Sequence, residues 1–270
     1  MTTWVVQENL AGEQAYDEFV GAIKEVAPIQ IVKVVPFAHD LIPEIEGTKN
    51  IAFGSLTLEN IARGRGWMPG TFTNNSHNFE RWAEGYEGFL LNEDAEVFPF
   101  GEIPPFTGQR FIRPLDDSKV FAGMVIDGED FEEWKKKVID IQDDFSTLTS
   151  STEVLIAPIQ EIECEFRFFV IDKQVVTGSQ YREMGYTRKR RVNMDGKNED
   201  SRMNRALDFA RQMVARWCPA KHFVIDVCMV GMMGNLKVVE INSLTSAGFY
   251  DCDTRAIVMA LHEWMKRKGM

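Results

Sequence analysis

Several signatures that would announce a function at once are missing from this 270-residue chain. No apolar run approaches the roughly 20 residues that a membrane-spanning helix needs. The opening stretch MTTWVVQENLAGEQ lacks a basic segment followed by a long apolar one, so it is not expected to be a secretory signal. Only four cysteines occur, Cys164, Cys218, Cys228 and Cys252, and none forms a C-x-x-C pair. That excludes the common zinc-ligand spacings and leaves reduced thiols in a cytoplasmic setting as the expectation. The four histidines, His39, His77, His222 and His262, are scattered, and a structural role is expected for each. Positive charge is not in excess either. The formal net charge of −11 disfavours a polyanion as the default partner, although a local patch can override it. Neither a GxxxxGK[ST] loop nor a kinase-type glycine loop is present.

What is present is an ordinary globular composition, 44% hydrophobic and 26% charged, long enough for one large or two modest domains. TWVVQ (3–7), QIVKVVPF (30–37) and NIAFGS (50–55) read as strands, and 11–26 and 56–65 as helices with apolar faces. The alternation predicts a small parallel-sheet α/β domain over 1–108. GWMPGTFTNNS (66–76) reads as loop, 81–92 as a helix, and the prolines at 99, 104 and 105 mark a boundary. Beyond it, strands are grouped and helices sparse, which predicts an α+β domain over 109–270. Two strands around a turn are expected in 109–126 and a helix over 131–145. A hairpin is expected around Asp172–Lys173, and a helix over 202–217 capped by Ser201. The last helix is expected to be capped by Asp251 or Asp253.

The most informative stretch is FVIDVCMVGMMGNLKVVEIN (223–242). Two strand-like runs each carry an acid, Asp226 and Glu240, with Asn242 two residues beyond the second. A buried carboxylate without a partner is costly, so something cationic is expected there. Residues two apart share a strand face, so Glu240 and Asn242 point the same way. A three-residue loop, or a bulge, is needed to bring Asp226 opposite Glu240. In that register the three side chains form a cluster of hard oxygen ligands suited to Mg²⁺. The alternative is that the two acids pair with Lys or Arg within the sheet.

An Asp in an apolar strand, a turn, and an apolar strand ending E-x-N resembles the closing signature of the ATP-grasp superfamily. The likeness is to a divergent phage and bacterial subgroup in which Arg replaces the first nucleotide-binding Lys. The resemblance implies a small parallel-sheet domain followed by an ATP-grasp fold, with 109–160 lid-like and 161–270 holding metal and phosphate. It implies that Arg113 of FIRP (111–114) and Lys119 of DDSKVFAG (116–123) contact nucleotide phosphate. The backbone of Pro158, Ile159, Gln160 and Glu161 would read the adenine edge, and Glu165 would accept from the ribose hydroxyls. Arg167 would meet the transferred phosphoryl group, and Arg191, followed by Asn193, would approach it or the acceptor. Asp226, Glu240 and Asn242 would hold Mg²⁺. Without the resemblance, Arg113 reads as a strand-face ion pair, Lys119 as a turn charge in water, and E-x-R as a solvated face. Lys189 and Arg190 read as part of a solvated loop.

The activity implied is an ATP- and Mg²⁺-dependent ligation of a carboxylate to an amine or another nucleophile through an acyl phosphate. The partners would be a small-molecule or peptide carboxylate and an amine acceptor, with GWMPGTF, SHNF (76–79) and SLTSAGFY (243–250) near the acceptor. Three other readings stay open. One is an ATP-dependent small-molecule phosphotransferase, and one is a non-catalytic nucleotide- or partner-binding module. The third, a nucleic-acid binder through TRKRR (187–191), is weakened by the net charge.

Overall fold

The computed structural model describes residues 2–34, 44–72, 79–115, 120–143 and 146–270. Contacts divide the chain into two compact units, Met1–Asn75 with Ile162–Met270, and Ser76–Glu161. Position 108, where composition suggests a boundary, falls inside the second unit.

In the first unit, β1 (Thr3–Gln7), β2 (Ile29–Val32) and β3 (Asn50–Phe53) form a parallel sheet in the order β2–β1–β3. β1 sends Trp4 and Val6 to one face, onto Phe19 and Ile23 of α1 (Tyr16–Val26). It sends Val5 to the other, onto Leu58, Ile61 and Ala62 of α2 (Leu56–Gly64). A parallel sheet covered on both faces explains a strand with almost no polar alternation. The first helix starts later than its periodicity predicts. Glu8–Gly12 instead forms a tight 3-10 turn, closed by the Glu13 N–H donating to Leu10 O. Ser55 caps α2 rather than extending β3. Residues 35–37 of the expected second strand lie outside the described residues.

The second unit holds α3 (Phe79–Gly85), β4 (Glu96–Pro99), β5 (Gln109–Pro114), β6 (Met124–Asp127), α4 (Gly128–Ile141) and β7 (Glu153–Ala157). Its antiparallel sheet has the order β4–β7–β5–β6. Phe131 and Val138 of α4 pack on Ile112, Val154 and Ile156 of the sheet. Asp127 caps α4, and a Cβ on Gly128 would overlap the Phe106 carbonyl oxygen, so no other residue fits where this helix begins. α3 ends at Gly85, well short of the expected 92, and α4 ends at Ile141.

The rest of the first unit is an antiparallel sheet of β8 (Ile162–Ile171), β9 (Gln174–Glu183), β10 (Tyr186–Arg191), β11 (Phe223–Val230) and β12 (Asn235–Asn242). Its order is β10–β9–β8–β11–β12. The β8–β9 turn is the expected one: Asp172 and Lys173 both have positive φ, 49° and 63°, as a two-residue hairpin turn requires. TRKRR is not a loop. It is the edge strand β10, with Arg188 paired to Glu183, Arg190 to Asp200 and Arg191 to Glu18. α5 (Ser201–Arg216) is capped by Asp200 rather than Ser201, because the Asp200 carboxylate accepts from the Arg202 N–H. α6 (Thr254–Arg267) is capped by Asp253. Ile257, Leu261 and Trp264 of α6 join Phe169, Ile171 and Val224 of this sheet and Trp4 and Phe19 of the parallel sheet region in one core. Among the described residues no helix is long and apolar enough to cross a membrane.

Candidate active site

A single row of paired residues crosses all five strands of the antiparallel sheet. Arg191 lies opposite Ser179, Ser179 opposite Arg167, Arg167 opposite Asp226, and Asp226 opposite Glu240. Directly opposed residues on antiparallel strands point to the same face, and neighbouring strands lie ~4.8 Å apart. Five side chains from strands remote in sequence are thereby aligned on one surface. Asn242, two residues beyond Glu240, shares that face.

The register that opposes Asp226 to Glu240 comes from a bulge rather than from the loop. The β11–β12 loop has four residues, Gly231–Gly234, since Val230 pairs with Asn235. Pairing shifts between Asp226 and Val227, whose partners are Glu240 and Val238, leaving Val239 as the extra residue. Without that residue inserted, Asp226 would face Val239.

The cation expected beside Asp226 is Arg167. Its Nε donates to Asp226 Oδ1 at 2.9 Å and its Nη2 to Oδ2 at 2.6 Å, a two-pronged pair with Arg167 7% and Asp226 1% exposed. Arg167 Nη1 donates to Gly248 O at 3.2 Å, and Nη2 lies 4.0 Å from Glu240 Oε1. The Asn242 amide donates to Glu240 Oε1 at 3.0 Å and reaches Asp226 Oδ2 at 3.5 Å. Burial pushes the Asp226 carboxyl up to about 6 against the pull of Arg167, so it remains ionised at neutral pH. Burial would lower the Arg167 guanidinium, but Asp226 more than reverses this and keeps it charged. Both readings of the acid pair thus meet in one place. Asp226 is ion-paired within the sheet, and it also stands beside a second carboxylate and an amide. No group of three or more His, Cys, Asp and Glu that could hold an ion occurs among the described residues.

Glu165 occupies the next outward position on the same strand face as Arg167 and is 5% exposed. A second bulge serves it. Glu165 pairs with Arg182 and Phe166 with Gln180, so Tyr181 is extra, and both Tyr181 and Arg182 reach the one acid. Tyr181 OH donates to Glu165 Oε2 at 2.7 Å and Arg182 Nη1 to Oε1 at 3.1 Å. Burial, then Asp226 and Glu165, raise the Tyr181 phenol well above its ordinary range, so it stays a donor.

Arg191 sits at the end of the row but turns its guanidinium to Glu18 and Asp251. Nη2 lies 3.1 Å from Glu18 Oε2, and Nε donates to Asp251 O at 3.0 Å. Burial alone would raise the Glu18 carboxyl; Arg191 and Thr254 hold it below the usual range. Asn193 is engaged in its own loop, where its backbone N–H donates to Asn198 Oδ1. The segment 243–250 lies over Arg167 and is tied to the parallel sheet, since the Gly54 N–H donates to Thr245 O at 2.9 Å.

Arg113, Pro158, Ile159, Gln160 and Glu161 belong to the second unit. Arg113 projects from β5 with its guanidinium 4.8 Å from the Trp82 ring. Pro158 to Glu161 are exposed and form the connection into β8. Lys119 lies outside the described residues, as do residues 76–78 of the SHNF segment. Sequence reasoning assigned nothing to Tyr181, Arg182 or Tyr250, although all three lie in stretches it singled out. Their roles depend on a bulge and on a left-handed backbone, neither of which periodicity reveals.

The chain matches a family model for an ATP-grasp domain, the second family of its clade, over residues 97–260, more than half its length. It belongs to the ATP-grasp family. As a member it falls in the class of ATP-dependent ligases. Solved ATP-grasp structures share the fold at low identity. D-cycloserine synthetase DcsG is 13% identical with a TM-score of 0.56, covering 98% of this chain and 100% of that one. The ATP-grasp ligase PsnB with its minimal precursor is 13% identical with a TM-score of 0.54, covering 98% and 99%. D-alanine–D-alanine ligase from Bacillus anthracis is 12% identical with a TM-score of 0.56, covering 100% of both chains. No curated protein matches this ATP-grasp chain in sequence.

Proposed function

We propose that this ATP-grasp protein is a carboxylate–amine ligase that uses ATP and Mg²⁺ and works through an acyl phosphate. The observation that carries the reading is the aligned row Arg191, Ser179, Arg167, Asp226 and Glu240, with Asn242 beside it. Two carboxylates and an amide side chain gathered on one face match the hard oxygen donors that Mg²⁺ prefers. Asp226, Glu240 and Asn242 would hold the ion. A set this small leaves positions for water and nucleotide phosphates, the usual way Mg²⁺ is held with a nucleotide. When bound, Mg²⁺ would offset charge on the phosphate oxygens.

The remaining roles are proposals of the same standing. Glu165 accepts from the ribose hydroxyls, and its carboxylate oxygens retain lone pairs beyond those used by Tyr181 and Arg182. Arg113 binds phosphate with two parallel hydrogen bonds, and Lys119 binds it as a point charge. The backbone of Pro158, Ile159, Gln160 and Glu161 reads the adenine edge. Arg167 stabilises the transferred phosphoryl group with the two N–H groups its three bonds leave over. Arg191 acts next to it, after exchanging Glu18 for substrate. The segments 1–108 and 109–270 divide the work between acceptor and nucleotide, with 109–160 as the lid-like part.

In the reaction, a substrate carboxylate oxygen attacks the γ-phosphorus and the bond to the β–γ bridging oxygen breaks, releasing ADP. The amine nitrogen then attacks the acyl carbon, phosphate leaves, and the amine loses a proton. D-alanine–D-alanine ligase is named for an amino-acid pair, and PsnB is seen with a precursor peptide. A small-molecule or peptide carboxylate with an amine acceptor is accordingly the substrate class we favour. A cytoplasmic setting fits the four free thiols.

The test is a panel of carboxylates with and without amines, incubated with protein and Mg-ATP, with hydroxylamine as a trap for acyl phosphate. The reading expects ADP and phosphate with a condensed product, and a hydroxamate when hydroxylamine replaces the amine. A stable phosphorylated product formed without any amine would make the protein a phosphotransferase. AMP release would overturn the acyl-phosphate route.

A further inference from the structure

Tyr250 stands out because its backbone is in a conformation its side chain disfavours. Its φ is 52°, in the left-handed region that non-glycine residues enter rarely and keep only where the surroundings over-determine them. The surroundings do so here. Phe249 is fully buried, with its ring 4.7 Å from Phe19 and 6.1 Å from Phe169. On the other side, the Asp251 N–H donates to Ser179 Oγ, and the Asp251 carboxylate accepts from the Arg191 N–H. Chain held on both sides delivers the Tyr250 ring to one place. It stacks on Tyr181 with centroids 4.7 Å apart and planes 8° from parallel. The Arg167 guanidinium lies 4.9 Å from its centre, and the Tyr181 ring is 5.8 Å from the same group.

The three hydrogen bonds of Arg167 lie in the plane of its guanidinium and fix that plane's edge. They resist tilting out of plane only weakly. A ring packed beside the guanidinium supplies the missing constraint, and the attraction between a cation and an aromatic ring grows when water is excluded. The same stacked pair reaches Glu165, because Tyr181 OH donates to its carboxylate. The phenol of Tyr250 is itself raised, first by burial, with Arg167 opposing and Asp226 and Glu240 adding, which locates it among these groups.

We propose that Tyr250 is a positioning residue for Arg167: with Tyr181 it forms an aromatic bracket that holds the guanidinium at the angle required to meet the terminal phosphate of the nucleotide. The proposal rests on the ligase reading, in which Arg167 contacts the phosphoryl group that ATP has and ADP lacks. Tyr250 therefore governs discrimination between the two nucleotides rather than nucleotide binding in general. The aromatic ring, not the hydroxyl, is the operative part.

The experiment titrates Mg-ADP and Mg-AMP-PNP, a non-hydrolysable ATP analogue, into wild type, Tyr250→Phe and Tyr250→Leu, each checked for folding by thermal melting. Wild type and Tyr250→Phe are expected to share one preference for AMP-PNP over ADP. In Tyr250→Leu that preference falls about ten-fold, the scale of a desolvated cation–ring contact, while ADP affinity stays near that of wild type. A folded Tyr250→Leu protein with an unchanged preference overturns the proposal. So does loss of preference in Tyr250→Phe equal to that in Tyr250→Leu, or an equal loss for both nucleotides in Tyr250→Leu. Should Tyr250→Leu fail to fold, the wild-type protein decides: an NMR contact between the Arg167 Nε proton and the Tyr250 ring protons is required, and its absence overturns the bracket. Folded wild type that binds neither nucleotide overturns the ligase reading itself, an outcome separate from a lost preference.

Discussion

Arg167 and Asp226 explain how an acid can sit in the middle of an apolar strand. Each is nearly inaccessible to water, and each would be expensive to bury alone. The two-pronged geometry and the Asn242 amide satisfy the carboxylate, and Gly248 O takes a further guanidinium N–H. Removing either partner leaves an unpaired buried charge, which typically costs about 3–5 kcal/mol. A different residue sets the acid limit of stability. His222 is buried between Phe72 and Trp264, accepts at Nδ1 from the Asp172 N–H, and is held down to about 4 by burial. Its folded value lies below the unfolded one of ~6.5. The unfolded chain therefore takes up the proton first as pH falls. The contribution is present in full above about pH 6.5 and lost as pH falls through about 4. A shift of that size is worth on the order of 3 kcal/mol. Urea midpoints measured from pH 7 to pH 4 should fall in wild type and fall less in His222→Phe. Parallel curves for the two proteins would contradict this role.

At the scale of elements, the site depends on irregularities in otherwise regular strands. Much of the convergence was legible beforehand. Glu165 and Arg167, and Glu240 and Asn242, are each two apart in strands, so each pair shares a face by period alone. That Asp226 needed an odd loop or a bulge also followed from counting residues. Which of the two occurs did not, because four glycine- and methionine-containing loop residues and one extra Val239 compensate each other only in three dimensions. The Tyr181 bulge was hidden for the same reason. The basic run 188–191 misled because alternating cations resemble a solvated loop, whereas their partners Glu18, Glu183 and Asp200 are supplied by other segments. The junction of the two sheets offers a test at this scale. A Cβ on Gly54 would stand 2.5 Å from Gln7 Cβ, and Gln7 Oε1 accepts from both the N–H and the hydroxyl of Ser55. Gly54→Ala should destabilise by about 1–3 kcal/mol, the usual cost of overpacking. It should also loosen segment 243–250 through the Gly54–Thr245 bond, seen as faster amide exchange there. Unchanged stability would mean that Gln7 moves freely.

For the molecule as a whole, one core joins the first and last parts of the chain. Trp4, Phe19, Phe169, Phe249 and Leu261 belong to the same cluster, so the parallel sheet and the antiparallel sheet stand or fall together. Sequence order gave no warning of this, since a contact between residues more than 200 positions apart leaves no local pattern. Family membership gives the ATP-grasp class, and the aligned row gives a place where a nucleotide-bound ion would be held. The most direct test of that claim is calorimetric titration of Mg-ATP, and of ATP with chelator, into wild type, Glu240→Gln and Asp226→Asn/Glu240→Gln. Glu240, whose side chain is 34% exposed, can be altered alone without stranding Arg167 in the core. The account predicts tight Mg²⁺-dependent binding by wild type, and a Mg²⁺ dependence weakened about ten-fold or more in folded Glu240→Gln, a loss of about 1.4 kcal/mol or more. Folded wild type that binds no nucleotide, or binds it equally well without Mg²⁺ and with Glu240 replaced, would contradict it.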